Sequence, residues 1–248
     1  MSAAAAPDQL ALFGAEAAVV VRRSTRARRL SLRVFPHGLV EVVAPERIAE
    51  HTIRRFVSEQ HAWIERARTE LGVSLQAISI EPPAEIRLDA VGEVWQVDYR
   101  VGSKRLKSIM GSAGGHIRLS GPADARWRVQ QLRRWLQQRG RAVLTPWLAD
   151  VGRETGLGYR NLTVRRQRSR WGSCSARHDI SLNCALLFLP PALVRHVLVH
   201  ELAHTRHLNH RPAFWRLVAR LAPEFEAAER ELRDAWRIVP AWVNHDPL

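Results

Sequence analysis

The chain is 248 residues long, 46% hydrophobic and 25% charged, with a formal net charge of +14 at pH 7. That length can bury one large core or two smaller ones, and the balance is that of an ordinary globular chain, which excludes disordered and fibrous classes. No stretch reaches the ~18 consecutive apolar residues of a membrane span, Ala3 to Ala6 lack the flanks of a signal peptide, and two cysteines are too few for a disulfide framework.

These exclusions lead to the expectation of a cytoplasmic protein with no membrane partner. Residues 1–17 read as a flexible tail carrying Gln9-Leu10-Ala11-Leu12-Phe13. That stretch resembles the short peptide by which many bacterial proteins dock on the DNA sliding clamp, so Gln9, Leu10, Leu12 and Phe13 form a possible clamp-binding segment. A simpler account packs the same residues on their own domain. Residues 18–121 read as an N-terminal β-rich module. Val19 to Val21, Leu30 to Val34 and Leu39 to Val43 alternate as strands of an antiparallel meander, and a long helix follows from Glu46 to Leu71. Ile86 to Leu88, Val94 to Val101 and Ile117 to Leu119 continue as strands around a glycine-rich break at Gly111 to Gly115. No internal repeat is apparent.

Residues 122–248 form the second expected domain. Arg126 to Leu148 is helical, with Trp127, Leu132, Trp135, Leu136, Val143, Leu144 and Trp147 on its apolar positions. Leu162 to Val164, Arg168 to Cys174 and Ile180 to Leu187 are short strands, the last two a hairpin through Ala176 to Asp179. Cys174 and Cys184 fall in these strands and read as buried reduced thiols. Two closing helices, Pro212 to Leu221 and Pro223 to Ile238, end the chain.

Between the last strand and the closing helices lies the stretch that carries chemistry. His200-Glu201-Leu202-Ala203-His204 is an H-E-x-x-H signature. On a helix, positions i and i+4 share a face, so two imidazoles can grip one Zn²⁺ with the glutamate beside its water. Pro190 and Pro191 suit the helix entry, and Val194, Leu198 and Leu202 give it an apolar back. A catalytic zinc takes a third protein ligand and keeps a fourth position open. His196 and His207 lie a turn too far along the same face and read as surface or outer-shell groups. The helix is expected to stop near Asn209, so a returning chain can present His210 from the side. Glu201 is the expected general base. Arg170, Tyr159 and His207 are undecided candidates for stabilising the oxyanion.

The positive charge is almost all arginine, Lys104 and Lys107 being the only lysines. Arg22, Arg23, Arg26, Arg28 and Arg29 form one run; Arg165, Arg166, Arg168 and Arg170 form another just before Trp171. Arg168, Arg170 and Trp171 are thus possible substrate or anion contacts, and an arginine-rich surface is a possible nucleic-acid contact. Solvated strand faces account for either run equally well.

Arg170-Trp171-Gly172-Ser173-Cys174-Ser175, Ile180-Ser181-Leu182-Asn183, the H-E-L-A-H helix, Asn209-His210 and Phe214-Trp215 together resemble the YgjP-like metallopeptidase domain, which is related to SprT-like and WLM zinc proteases. The resemblance extends upstream to Arg28 to Val34, Pro36-His37-Gly38 and Val42 to Pro45. It departs at Arg211 and Cys184. It implies a zincin-like, metal-dependent hydrolase with His200, His204 and His210 as ligands and Glu201 as base. The expected fold is α+β, with a zincin-like C-terminal half (short antiparallel sheet plus H-E-x-x-H helix) behind the β-rich module. The expected function is zinc-dependent hydrolysis of a peptide or protein. Two alternatives remain: a metal-dependent hydrolase of phosphoanhydrides such as nucleoside triphosphates, and a nucleic-acid- or clamp-associated binding protein with a structural metal.

Overall fold

The structure is a computed structural model that describes residues 9–10, 19–25, 27–34, 40–70, 81–111, 114–167 and 170–244. The fold is α+β, with several small sheets and seven helices among the described residues. None of these helices is long and apolar enough to cross a membrane. The chain divides into two compact units between Ile80 and Glu81.

The first unit holds strands β1 (Gln9–Leu10), β2 (Val19–Ser24), β3 (Ser31–Val34) and β4 (Val40–Pro45), then helices α1 (Glu50–Glu59) and α2 (His61–Glu70). Its sheet runs β1-β2-β4-β3, with β2 and β4 parallel. The expected antiparallel meander is therefore corrected. β4 is buried from Val40 to Ala44, so it takes the centre, whereas β3 is only partly buried, at alternate positions, and suits an edge. Glu41 is carried inward with β4 and accepts a hydrogen bond from Arg22 Nε at 3.3 Å. The single helix expected over residues 46–71 is two helices. No residue between Val57 and Ile64 is buried, so nothing holds one straight stripe across Gln60.

The second unit opens with β5 (Glu85–Leu88), β6 (Glu93–Val101), β7 (Arg105–Gly111) and β8 (Gly114–Gly121), followed by α3 (Ala125–Thr155). The sheet order is β5-β6-β8-β7, with β6 and β8 parallel and both outer pairs antiparallel. Strand order and sense thus repeat those of the first unit, again followed by helix. Ile53-Arg54-Arg55-Phe56-Val57 in α1 and Leu132-Arg133-Arg134-Trp135-Leu136 in α3 are alike, which amends the reading that found no repeat. Strand β7 lacks an alternating pattern, since Leu106, Ile109 and Met110 fall out of step; pairing with β8 makes it a strand.

The break at 80/81 lies upstream of the 121/122 boundary taken from sequence. The β5–β8 sheet packs on α3: Trp95 meets Trp135 edge-to-face at 5.0 Å, and Arg139 Nε donates to Glu93 Oε2 at 2.9 Å. Helix α3 starts at Asp124, whose carboxylate accepts from the Trp127 N–H at 2.7 Å. It ends at Gly156, whose φ of 68° suits a residue without a side chain.

Next come β9 (Asn161–Arg165), β10 (Gly172–Cys174) and β11 (Asp179–Asn183) in the order β10-β11-β9. The β10–β11 hairpin is antiparallel as expected, but β9 joins β11 in parallel, so the sheet is mixed rather than antiparallel. Asp179, at the start of β11, accepts hydrogen bonds from Arg160 Nε and Asn161 Nδ2 at 2.8 and 2.9 Å, which holds the starts of β9 and β11 together. The expected strand to Leu187 stops at Asn183 and becomes a 3₁₀ turn over Cys184–Phe188, all buried. The Asn183 side chain caps it by accepting from the Ala185 N–H at 3.0 Å. Cys184 therefore lies in this turn, while Cys174 stays in β10 and is only partly buried. Helices α4 (Pro191–Ala203), α5 (Pro212–Leu221), α6 (Phe225–Asp234) and α7 (Ala241–Asn244) complete the unit, with a 3₁₀ turn over Ala235–Arg237.

Candidate metal centre

Helix α4 is buried almost all round, as its sequence requires: Leu193, Val194, Val197, Leu198, Val199, Leu202 and Ala203 are core residues. It ends at Ala203, earlier than the expected stop near Asn209. The Thr205 hydroxyl and N–H both return to the Leu202 carbonyl, at 2.7 and 3.0 Å, and tighten the chain into a turn. That turn brings His210 back to the helix, its Nε2 lying 3.1 Å from His200 Nε2. The ligand atoms of His200, His204 and His210 all lie within 4.8 Å of one another.

Hydrogen bonds fix which ring nitrogens stay open. His204 Nδ1 donates to the His207 carbonyl at 3.0 Å, which leaves its Nε2 as a lone pair. His200 Nδ1 faces Glu229 Oε1 at 3.3 Å, which leaves His200 Nε2 open in the same way. For metal–nitrogen bonds of ~2.0–2.1 Å in a tetrahedron, neighbouring nitrogens stand about 3.3 Å apart. The observed 3.1 Å fits one divalent ion between the rings. Burial lowers the pKa of His204 and of His210, with the neighbouring His200 adding to the effect, so both favour the neutral, ligating form.

Aromatic rings wall the cluster. Phe214, fully buried on α5, stacks on His204 at 4.5 Å, and Trp215 stacks on His210 at 5.6 Å. Beside them Glu201 is 6% exposed, and its Oε2 is buried without a partner among the described residues. Burial pushes the Glu201 carboxyl up to about 8, with the Arg170 charge pulling the other way. Strand β10 runs directly against it. A Cβ placed on Gly172 would stand 2.5 Å from Glu201 Oε1, so only glycine lets the strand approach this closely.

Two residues have roles in the site that the sequence does not show. Glu229 on α6 accepts from His196 Nε2 at 2.9 Å as well as facing His200, and these two hydrogen bonds, His196 first, hold its carboxyl well below the usual range. It lies far along the chain from the H-E-x-x-H signature and no spacing marked it. Its partner His196, expected as a surface or outer-shell group, is buried and reaches His200 only through Glu229. Asn183 belonged to a noted motif, but its task shows only in space. It is fully buried, and its Nδ2 donates to the Gln167 and Arg170 carbonyls at 2.8 and 2.9 Å.

The other expected contact residues are scattered. Arg170 is exposed, and Arg168 lies outside the described residues. Trp171 has a packing partner: it stacks on Trp236 at 4.0 Å and its Nε1 donates to the Leu232 carbonyl at 3.4 Å. Gln9 and Leu10 pair with Val20 and Val19 as strand β1, and Leu12 and Phe13 lie outside the described residues. Part of the first arginine run is spent within its own unit, since Arg23 donates to the Glu46 and Ile48 carbonyls at 3.0 and 2.9 Å.

Three convergent imidazoles beside a buried carboxylate are the equipment of a metal-dependent hydrolase. Residues 28–235 match the YgjP-like metallopeptidase domain, and the chain belongs to that family. No curated protein and no solved structure gives a significant match.

Proposed function

We propose that this protein is a zinc-dependent peptidase with a zincin-like centre, in which His200, His204 and His210 hold the metal and Glu201 is the general base. The observation that carries this reading is the three-histidine cluster with its ligand atoms within 4.8 Å, beside the unpaired Glu201 Oε2. Zinc held there would lower the pKa of a bound water toward ~7 and polarise the carbonyl under attack. A divalent cation on the three imidazoles would favour the carboxylate form of Glu201 that burial alone disfavours, and Glu201 Oε2 is then the atom that accepts a proton and later returns it to the leaving amine. Its burial keeps bulk water from competing for that proton. Glu229 and the His207 carbonyl orient the first two imidazoles from behind.

Peptide as the substrate is supported by β10, which is an edge of its three-stranded sheet and runs beside Glu201. An extended chain can add to such an edge through main-chain hydrogen bonds. The test is metal analysis of the purified protein together with hydrolysis of an unstructured protein such as casein, wild type against Glu201→Gln. Bound zinc in both and turnover only in the wild type is the expected result. Turnover of nucleoside triphosphates but not of polypeptide would replace the peptidase reading.

A further inference from the structure

A second site lies on the far edge of the same sheet. Strand β9 is the edge opposite β10, and it forms with α3 an open cavity of ≈ 440 Å³ lined by Arg134, Gln137, Gln138, Arg141, Thr163 and Arg165, with Val164 at its base. The four α3 residues are spaced i, i+3, i+4 and i+7, so they form one face of the helix. A helix face beside a strand is ordinarily apolar and closed; this one is cationic and open. Arg134, Arg141 and Arg165 are all exposed, and none of the three is ion-paired among the described residues. The cavity lining holds no carboxylate. Gly140 sets the distance between the walls, because a Cβ there would meet Cys184 Cβ at 3.0 Å and Val164 at 3.2 Å. Gln137 Nε2 donates to the Val164 carbonyl at 2.9 Å and covers that part of the β9 edge.

We infer that this groove is a docking surface for the phosphate backbone of duplex nucleic acid. Arg134 and Arg141 are seven residues apart, about 10.5 Å along the helix axis. A strand offering a phosphate every ~3.4 Å of duplex axis can place separate phosphates at both. Guanidinium forks and glutamine amides are suited to phosphate oxygens. No aromatic ring lines the groove, so bases are not stacked and the contact is with the backbone, without sequence preference. The surplus of +14 over the whole chain favours approach of such a polyanion. The site stands apart from Glu201, on the other edge of the sheet, and does not depend on what the metal centre hydrolyses.

The experiment is fluorescence anisotropy with a labelled 20-base-pair duplex over a range of salt. Full-length wild type is compared with Arg134→Ala/Arg141→Ala/Arg165→Ala. The control is Arg54→Ala/Arg55→Ala/Arg87→Ala, which removes the same charge from exposed arginines that already face carboxylates. Losing three phosphate contacts lowers the slope of log K against log salt by about 2.7. The groove variant is expected to show that loss and at least about a tenfold weaker affinity at low salt, with the control changing the slope by less than about 1. The triple lysine variant at the groove positions keeps the charge and is expected to retain most of the slope. Absence of duplex binding by the wild type, or equal losses in groove and control variants, overturns the inference. So does competition by free triphosphate at the same phosphate concentration as the duplex, or binding only to anionic lipid vesicles.

Discussion

The approach of β10 to Glu201 is tested most directly by Gly172→Ala. The added Cβ would lie 2.5 Å from Glu201 Oε1, 2.7 Å from its Cγ and 2.8 Å from its Cδ, where ordinary contact begins at 3.4 Å. Relief requires a displacement of about 0.9 Å by the carboxylate or by the strand, in a region packed like a crystal. Helix α4 is held on nearly every side by core residues and cannot yield, so the carboxylate turns or β10 lifts. Overpacking of this kind costs about 1–3 kcal/mol. A shift near 1 Å in a catalytic group costs about 10²-fold in rate. Gly158→Ala is the matched control, because a Cβ there meets nothing within 4 Å. Both variants are assayed for bound metal, thermal midpoint and kcat on the substrate that Glu201→Gln fails to turn over. Gly172→Ala is expected to keep its metal, melt lower than the control and lose about two orders of magnitude in kcat. A kcat within twofold of Gly158→Ala would refute the steric argument.

Removing His210 tests the ligand set without any substrate. Zinc at 100 times its Kd stabilises a folded protein by about 2.7 kcal/mol, a rise in melting point of about 5–10 °C for a chain of this size; His210→Ala should lose most of that rise, and an equal rise would exclude it as a ligand. Asn183→Ala strips two carbonyls and the buried Ala185 N–H of their partner, an expected loss of about 2–4 kcal/mol in denaturant titration. Asp179 is held down to about 2 from an ordinary 3.8, chiefly by its hydrogen bond from Arg160 and then by that from Asn161. Its contribution is therefore complete above about pH 4 and fades as pH falls toward 2; Asp179→Asn should melt below wild type at pH 7 and match it near pH 2, and a gap that persists in acid would contradict this.

Much of the site is local, and that part is legible in the sequence. An i, i+4 histidine pair needs only a helix, and proline entry with an apolar back specifies one. His210 follows because the chain must turn before Pro212, although the turn comes sooner, through Thr205. What the sequence hides depends on contacts between distant segments. Nothing around Glu229 distinguishes it from the other glutamates of α6; it matters because α6 packs where His196 and His200 face it. The strand orders are hidden for the same reason. Alternation along Leu30 to Val34 and Leu39 to Val43 locates strands, but the central place of β4 and its parallel pairing with β2 are set by contacts between segments. Strand β7 has no apolar alternation, and its partner defines it.

The motifs on either side of helix α4 form one closed chain of contacts. Asn183 holds the Gln167 and Arg170 carbonyls, and its own N–H donates to the Trp171 carbonyl at 2.8 Å, which fixes the start of β10. Trp171 then reaches across to Leu232 and Trp236, at the end of α6 and just beyond it. Helix α6 carries Glu229 to His200, and on α4 the next residue is Glu201, against which β10 lies. Each link sets the position of the next, so His200 and Glu201 are placed together rather than separately. The sequence spacing between Trp171-Gly172, Asn183 and His200-Glu201 is therefore the product of one geometry: a glycine where the strand meets the carboxylate, an asparagine where the loop must be held, and a tryptophan where strand and outer helix join.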